Sequence, residues 1–271
     1  MKADEFIISR LNDVFDERIS SRVFNSSAVR EAATTFRHSL QQIVNLQAMP
    51  GWVAGAMYEL GNCWADACEQ ITGKRVWPKE RRHERDVYEQ IIAAHHSISS
   101  ERKSDLQHSF RMPDLHLLYV EHMNPEIPLA SGFEAICKAS LIYCWSAFEV
   151  LARSLFEGKL GRPAKGSFSK LCVIREQFRK GFALPSGLRT HQIIDSEQFA
   201  VLAQLRHLLV HRGGIIDQSF LDQTGQFNSL VSIRSLGLGT KVSFDAKMND
   251  QFVTPFIVKC VELIESVDDY V

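Results

Sequence analysis

The chain has 271 residues, 45% of them apolar and 23% charged, with a formal net charge of −1. That balance is of a globular protein with a core of its own, and it excludes a disordered segment or a protein that coats nucleic acid through bulk charge. No apolar run approaches the roughly 20 residues needed to cross a bilayer, and no basic-then-apolar signal stands at Met1–Phe6, so a cytoplasmic protein without a membrane contact is expected.

Helical periodicity runs through almost the whole sequence. Phe6, Leu11, Val14, Phe15 and Ile19 recur at helical spacing, and so do Val29, Ala32, Ala33, Phe36, Leu40 and Ile43. Residues 52–72 carry the stripe Val53, Met57, Leu60, Trp64, Cys68 and Ile71, with Pro50-Gly51 before it and Gly73 after it as punctuation. A further helix is expected from Pro78, with Val87, Ile91, His95 and Ile98. Pro113 and the Pro125–Pro128 segment interrupt the pattern, which places a domain boundary near residue 126, between an N-terminal helical region (1–125) and a C-terminal helical domain (126–271).

The second half opens on Ser131 and Glu134, spaced as a capping box. A long helix is expected next, burying Phe133, Ile136, Cys137, Leu141, Cys144, Phe148, Leu151 and Leu155 and stopped by Gly158, Gly161 and Pro163. A shorter helix spans 168–180. Asp195 and Gln198 are placed to cap another, whose apolar set is Phe199, Leu202, Leu205 and Leu209 and whose end is Gly213-Gly214. The stretch Leu236–Phe244 reads as a short hairpin or an irregular loop. A final helix from about 250 carries Phe252, Phe256, Cys260, Leu263 and Val267. The expected class is therefore all-α.

The six cysteines form no Cys-x-x-Cys pair, so reduced thiols are expected, and Cys137, Cys144 and Cys260 fall on apolar helical stripes where cysteine acts as a small hydrophobe. Residues 153–189 hold nine Lys or Arg against Glu157 and Glu176, a local excess of seven positive charges in a nearly neutral chain. Such a run is either a solvated face or a surface that meets phosphates.

Chemistry concentrates at Arg206-His207-Leu208-Leu209-Val210-His211-Arg212-Gly213-Gly214. Arg206 falls among core leucines, and His211 lies in the last turn, where the negative end of the helix dipole favours a protonated imidazole. Five residues of α-helix turn through about 500°, which leaves Arg206 and His211 about 140° apart, so one ideal helix does not aim both at one atom. Upstream, Trp145-Ser146-Ala147-Phe148-Glu149 sets one carboxylate beside the long apolar stripe. Two other Arg-to-His spacings, Arg102–His108 and Arg111–His116, lack this helical setting.

Arg206, the polar His207 and His211, with Glu149 on an earlier helix, resemble the HEPN family over about residues 130–271. The family signature is an arginine, usually a polar residue after it, and a histidine four to six positions on. The resemblance implies an up-and-down helical bundle, a homodimer, and metal-independent cleavage of RNA at a composite site between protomers. It implies Arg206 and His211 as catalytic residues with Glu149 and His207 in support, and no metal or cofactor. Lys159, Arg162, Lys165, Lys170 and Arg212 are the basic residues expected to meet RNA. A toxin or an antiviral effector governed by an antitoxin or regulatory protein is the biological role implied.

The residues also admit plainer readings. Arg206 fits a structural ion pair with Glu149, and His211 fits a C-capping histidine. The same fold then serves as a non-catalytic module for a protein partner or a nucleotide. His207 and His211 share a helix face at the spacing of a metal pair, but no third ligand stands at suggestive spacing.

Overall fold

The computed structural model describes residues 10–75, 128–244 and 246–271, and these are largely helical, so the fold is all-α. The helix expected from Pro78, His95, the two other Arg-to-His spacings and the boundary near residue 126 lie outside the described residues. Nine α-helices are described: α1 (Arg10–Ile19), α2 (Ser27–Thr72), α3 (Pro128–Leu160), α4 (Leu171–Gly181), α5 (Leu188–Ile194), α6 (Glu197–Arg212), α7 (Gln218–Thr224), α8 (Val231–Arg234) and α9 (Ala246–Asp268).

Contacts divide the chain into one unit of residues 1–48 and 133–271 and a second of residues 49–132. The second unit is described over the C-terminal part of α2, where Ala65 and Ala67 are buried and Asp66 pairs with Arg75 at 3.0 Å. In the first unit, α9 is the spine. It packs against α1, α5 and α6, and Phe252, Val253, Phe256, Ile257, Cys260, Val261, Leu263, Ile264 and Val267 are buried around it. Burial on this scale surrounds a helix rather than one face of it, as expected for the central element of a helical bundle. Phe15 and Ile19 of α1 and Val29, Phe36 and Leu40 of α2 enter the same core as the C-terminal helices.

Helix α3 buries Cys137, Leu141, Cys144, Phe148, Leu151 and Leu155 of the stripe expected from periodicity, while Ile136 is only partly buried and the Phe133 side chain lies outside the described residues. Against the expectation that no stretch could span a bilayer, Glu134–Leu160 is long and apolar enough to do so by length and composition, although half of its most apolar window is buried inside the protein. Close approach to α2 is permitted by Gly158, where an added Cβ would stand 2.8 Å from the Ala28 Cβ. Burial pushes the Cys144 thiol up to about 12 and the Cys260 thiol well above its usual value, which keeps both as inert packing groups.

Several local signals resolve differently from expectation. Helix α3 starts at Pro128, and Glu134 pairs with Lys138 at 2.6 Å along the helix. No break occurs at Pro50-Gly51, because α2 runs from Ser27 to Thr72. Helix α9 likewise carries Pro255, whose missing hydrogen bond falls on the exposed side beside Gln251, where water can meet the freed carbonyl. Ser196, not Asp195, is the N-cap of α6. Residues 236–244 form no hairpin of their own. They lie along residues 214–216 instead, with an Ile215–Lys241 antiparallel bridge and backbone hydrogen bonds from Ile216 N–H to Thr240 O (3.0 Å) and Val242 N–H to Gly214 O (2.9 Å).

The acidic end of α9 gathers the surrounding helices. Arg18 of α1 grips Glu265 in a fork, Nε to Oε1 at 3.1 Å and Nη2 to Oε2 at 2.6 Å. The buried Asp268 carboxylate accepts from the backbone N–H groups of Asn25 and Ser26, each at 3.0 Å, at the start of α2, and from Arg22 at 3.2 Å. Lys159 Nζ of α3 donates to the Asp268 carbonyl at 3.1 Å. Removing a buried acceptor that serves this many donors leaves each of them unmet. Asp268→Ala is expected to destabilise the fold by about 2–4 kcal/mol. The half-exposed Asp269 is expected to cost under about 1 kcal/mol on the same substitution. Urea unfolding of the two variants at neutral pH measures the difference.

Candidate functional site

An aromatic cluster sets the frame. Phe148 of α3 lies 4.6 Å from Phe199 of α6 between ring centroids, and both meet Phe256 of α9, at 5.5 and 5.4 Å. These contacts fix the rotation of α3 and α6 about their axes, so the residue after Phe148 and the residue seven after Phe199 come to face one another. They are Glu149 and Arg206. Arg206 Nη2 stands 3.9 Å from Glu149 Oε1, an ion pair too long to be a hydrogen bond. The Glu149 oxygen is instead taken by the Trp145 Nε1–H, one turn earlier on α3.

Burial raises the Glu149 carboxyl above its usual range, opposed by the Trp145 hydrogen bond and the Arg206 charge. A carboxyl raised on folding gives its full stability only below the unfolded-state value, and that contribution is lost as pH rises through the folded value. Wherever Glu149 is ionised, its burial therefore opposes folding rather than supports it. Arg206 is three-quarters buried as a side chain, and its Nε–H is buried with no acceptor. The guanidinium thus retains donor capacity that the fold leaves unspent.

Helix α6 stays regular through Arg212 and ends at Gly213, whose φ of 60° lies in the left-handed region that glycine tolerates best. The last turn is not frayed, so Arg206 and His211 keep the divergence an ideal helix gives them. Arg206 turns toward α3, while His211 is exposed. His207 and His211 lie side by side along the helix, ring centroids 4.7 Å apart and planes tilted by 44°. His207 is held below the ordinary imidazole value, first by burial and then by the positive charges of His211 and Arg212; Asp217 pulls the other way.

Arg212 does not stand free. Its Nε is 2.8 Å from Asp217 Oδ2, and Asp217 Oδ1 accepts the Phe220 N–H at 2.8 Å as the N-cap of α7. Of the other residues expected to meet RNA, Lys159 is engaged with the Asp268 carbonyl, and Arg162 lies over the Phe156 ring at 5.7 Å. Lys165 and Lys170 are exposed on the connection from α3 to α4. Lys159 lies ten residues beyond Glu149 on α3, about 15 Å along the axis, so these lysines form a surface apart from the Arg206 pair. Much of the positive run at 153–189 is spent internally: Arg175 and Arg179 pair with Asp195, Lys180 with Glu176, and Arg189 with Glu265 and Asp269.

Two residues at the site were not marked by sequence spacing. Trp145 reads as core, and it is buried, but its indole N–H also serves Glu149; the i, i+4 spacing of Trp145 and Glu149 was the available signal. Asp217, beyond the end of the helix, binds Arg212 and carried no signal except its place before a short apolar helix. No group of three or more metal-binding side chains occurs among the described residues.

Comparison with protein-family models, with curated proteins and with solved structures finds no match to this chain.

The paired imidazoles of His207 and His211 are open to a direct check. A histidine depressed on folding contributes stability that is full above the unfolded-state value and lost as pH falls through the folded one. In an NMR titration His207 is expected to take its proton at lower pH than an unfolded reference peptide. The His211→Ala variant removes one of the opposing charges and is expected to move His207 upward. An unmoved His207 titration contradicts the charge coupling described here.

Proposed function

We propose that the protein is an endoribonuclease of HEPN type that cleaves RNA without a metal, acting as a toxin or an antiviral effector in the cytoplasm. The observation that carries this reading is the end of α6: a guanidinium with an unmet Nε–H, held toward a semi-buried carboxylate, on the same helix as the neighbouring imidazoles of His207 and His211, of which His211 is open to solvent. Glu149 and His207 in this group are both shifted from their ordinary values, and such perturbed groups cluster at reaction sites.

In this reading the 2′-hydroxyl oxygen attacks the adjacent phosphorus, and its proton passes to an imidazole. The bond from phosphorus to the 5′-oxygen breaks, the 5′-oxygen takes a proton from an imidazolium, and a 2′,3′-cyclic phosphate remains. Arg206 donates to the phosphoryl oxygens as charge builds on them. Because Arg206 and His211 diverge on one unfrayed helix, the phosphodiester lies between two copies of the chain, with the arginine of one and the histidine of the other. The exposed Lys165 and Lys170 then give flanking phosphates a sequence-independent hold.

A second reading is favoured by the Glu149–Arg206 pair itself. If Arg206 exists to satisfy Glu149, the helix pair is a non-catalytic module for a protein partner or a nucleotide.

Incubation with total RNA separates the two. Arg206→Ala and His211→Ala are each expected to lower cleavage by about 10²-fold or more while circular dichroism stays unchanged. Products of the parent are expected to end in 2′,3′-cyclic phosphate, and cleavage to persist in EDTA. Equal cleavage by the parent and both variants removes the site. An intact parent that leaves RNA uncut favours the module.

A further inference from the structure

Trp145 is buried in the core, where its ring meets Phe148 of α3 at 5.3 Å and Phe256 of α9 at 6.4 Å between centroids. Packing alone would be served by phenylalanine, which the chain uses at 17 positions. Tryptophan adds a single donor, and a buried indole N–H needs an acceptor. That acceptor is Glu149 Oε1, the same oxygen that faces the Arg206 guanidinium. The order is thus a rigid donor fixed by two aromatic rings, a carboxylate fixed by the donor, and a cation facing the carboxylate.

Each link answers a different need. Glu149 is a flexible side chain one turn from Trp145, with no other hydrogen-bond donor to orient it among the described residues. Arg206 Nη2 is 3.9 Å from it, so Glu149 steers the guanidinium by charge without tying up its donors. A direct fork, such as Arg18 makes with Glu265, would consume the donors that a phosphate requires. The longer approach keeps them available.

We infer that Trp145 is a positioning residue: its indole N–H fixes the Glu149 carboxylate, which in turn holds the Arg206 guanidinium in place with its hydrogen bonds free for an anion. The catalytic meaning of that placement rests on the proposed ribonuclease reading, but the linkage itself is measurable without RNA. Trp145→Phe keeps an aromatic ring in the core and deletes only the donor and part of the volume. Loss of a hydrogen bond to a charged group loosens its acceptor.

The test uses the whole 271-residue chain with isotope-labelled glutamate and arginine side chains. The Glu149 carboxyl is followed by NMR through a pH titration and assigned with Glu149→Gln. The Arg206 Nε–H is followed by hydrogen exchange and assigned with Arg206→Lys. In Trp145→Phe the Glu149 titration is expected to move to higher pH, because the indole bond that favours the charged form is gone. Exchange of the Arg206 Nε–H is expected to quicken by about tenfold or more. If both signals are unmoved, Trp145 is a packing residue and the inference is overturned. It is overturned also if Glu149 moves while Arg206 does not.

Should Trp145→Phe fail to fold, the parent's own indole signal decides. It must shift as Glu149 titrates and lose that shift in Glu149→Gln, and an indole signal indifferent to Glu149 overturns the inference. Where the parent cuts RNA, Trp145→Phe is expected to cut about tenfold more slowly. If the parent cuts no RNA and Trp145→Phe still shows both NMR changes, the positioning chain stands and only the nuclease reading falls.

Discussion

The acidic end of α9 is the joint on which the described fold depends. Asp268 is buried, and its carboxylate occupies the entry to α2 by accepting from Asn25 and Ser26, while Arg22 neutralises its charge. Glu265, one turn earlier, takes the fork from Arg18, and Thr190 of α5 shares a buried hydrogen bond of 2.7 Å with Ser266. A carboxylate taken out of water is tolerated only when its lone pairs are filled, and here the filling groups come from elements far apart in sequence. The polar joint therefore selects which helices meet, while the apolar stripe of α9 supplies the burial that drives the meeting.

From that joint the rest follows by rigid packing. With α9 fixed, Phe256 sets Phe148 and Phe199, and those rings set the facing sides of α3 and α6. The core thereby brings Glu149 and Arg206 to ion-pair distance, 3.9 Å. The contrast with the α9 joint is informative. There, arginines are forked, short-bonded and filled; at Glu149 the pair is long, one donor is unmet, and burial works against the charged carboxyl. The first arrangement suits stability, and the second suits a site that waits for an anion.

Much of the helical architecture was legible because burial repeats at helical spacing. The stripes of α3, α6 and α9 are those the sequence shows, and the double glycine after Arg212 ends α6 where expected. Punctuation was less legible. Pro50-Gly51 reads as a stop, yet α2 continues, since a proline removes one hydrogen bond and a long helix retains many others. Nothing in the local pattern of Phe15 or Phe36 tells which core they join, because periodicity reports a buried face and not its partner. The same limit applies at the site. Arg206, His207, His211 and Glu149 stand out by type and spacing, whereas the role of Trp145 and the engagement of Arg212 by Asp217 depend on contacts that only folding creates. The positive run at 153–189 looked like one surface, and pairing with Asp195, Glu176, Glu265 and Asp269 reduces it to a few open lysines.

The central claim is that catalysis joins Arg206 of one copy to His211 of another. Subunit mixing tests it most directly. Arg206→Ala and His211→Ala are each inactive alone on this account, but a mixed dimer contains one site with both residues intact. Co-expression of the two is predicted to restore roughly a quarter of parental RNA cleavage, since about half the dimers are mixed and one of two sites in each is whole. Mixed protein that stays as inactive as either variant alone, from a preparation shown to contain mixed dimers, would contradict the account.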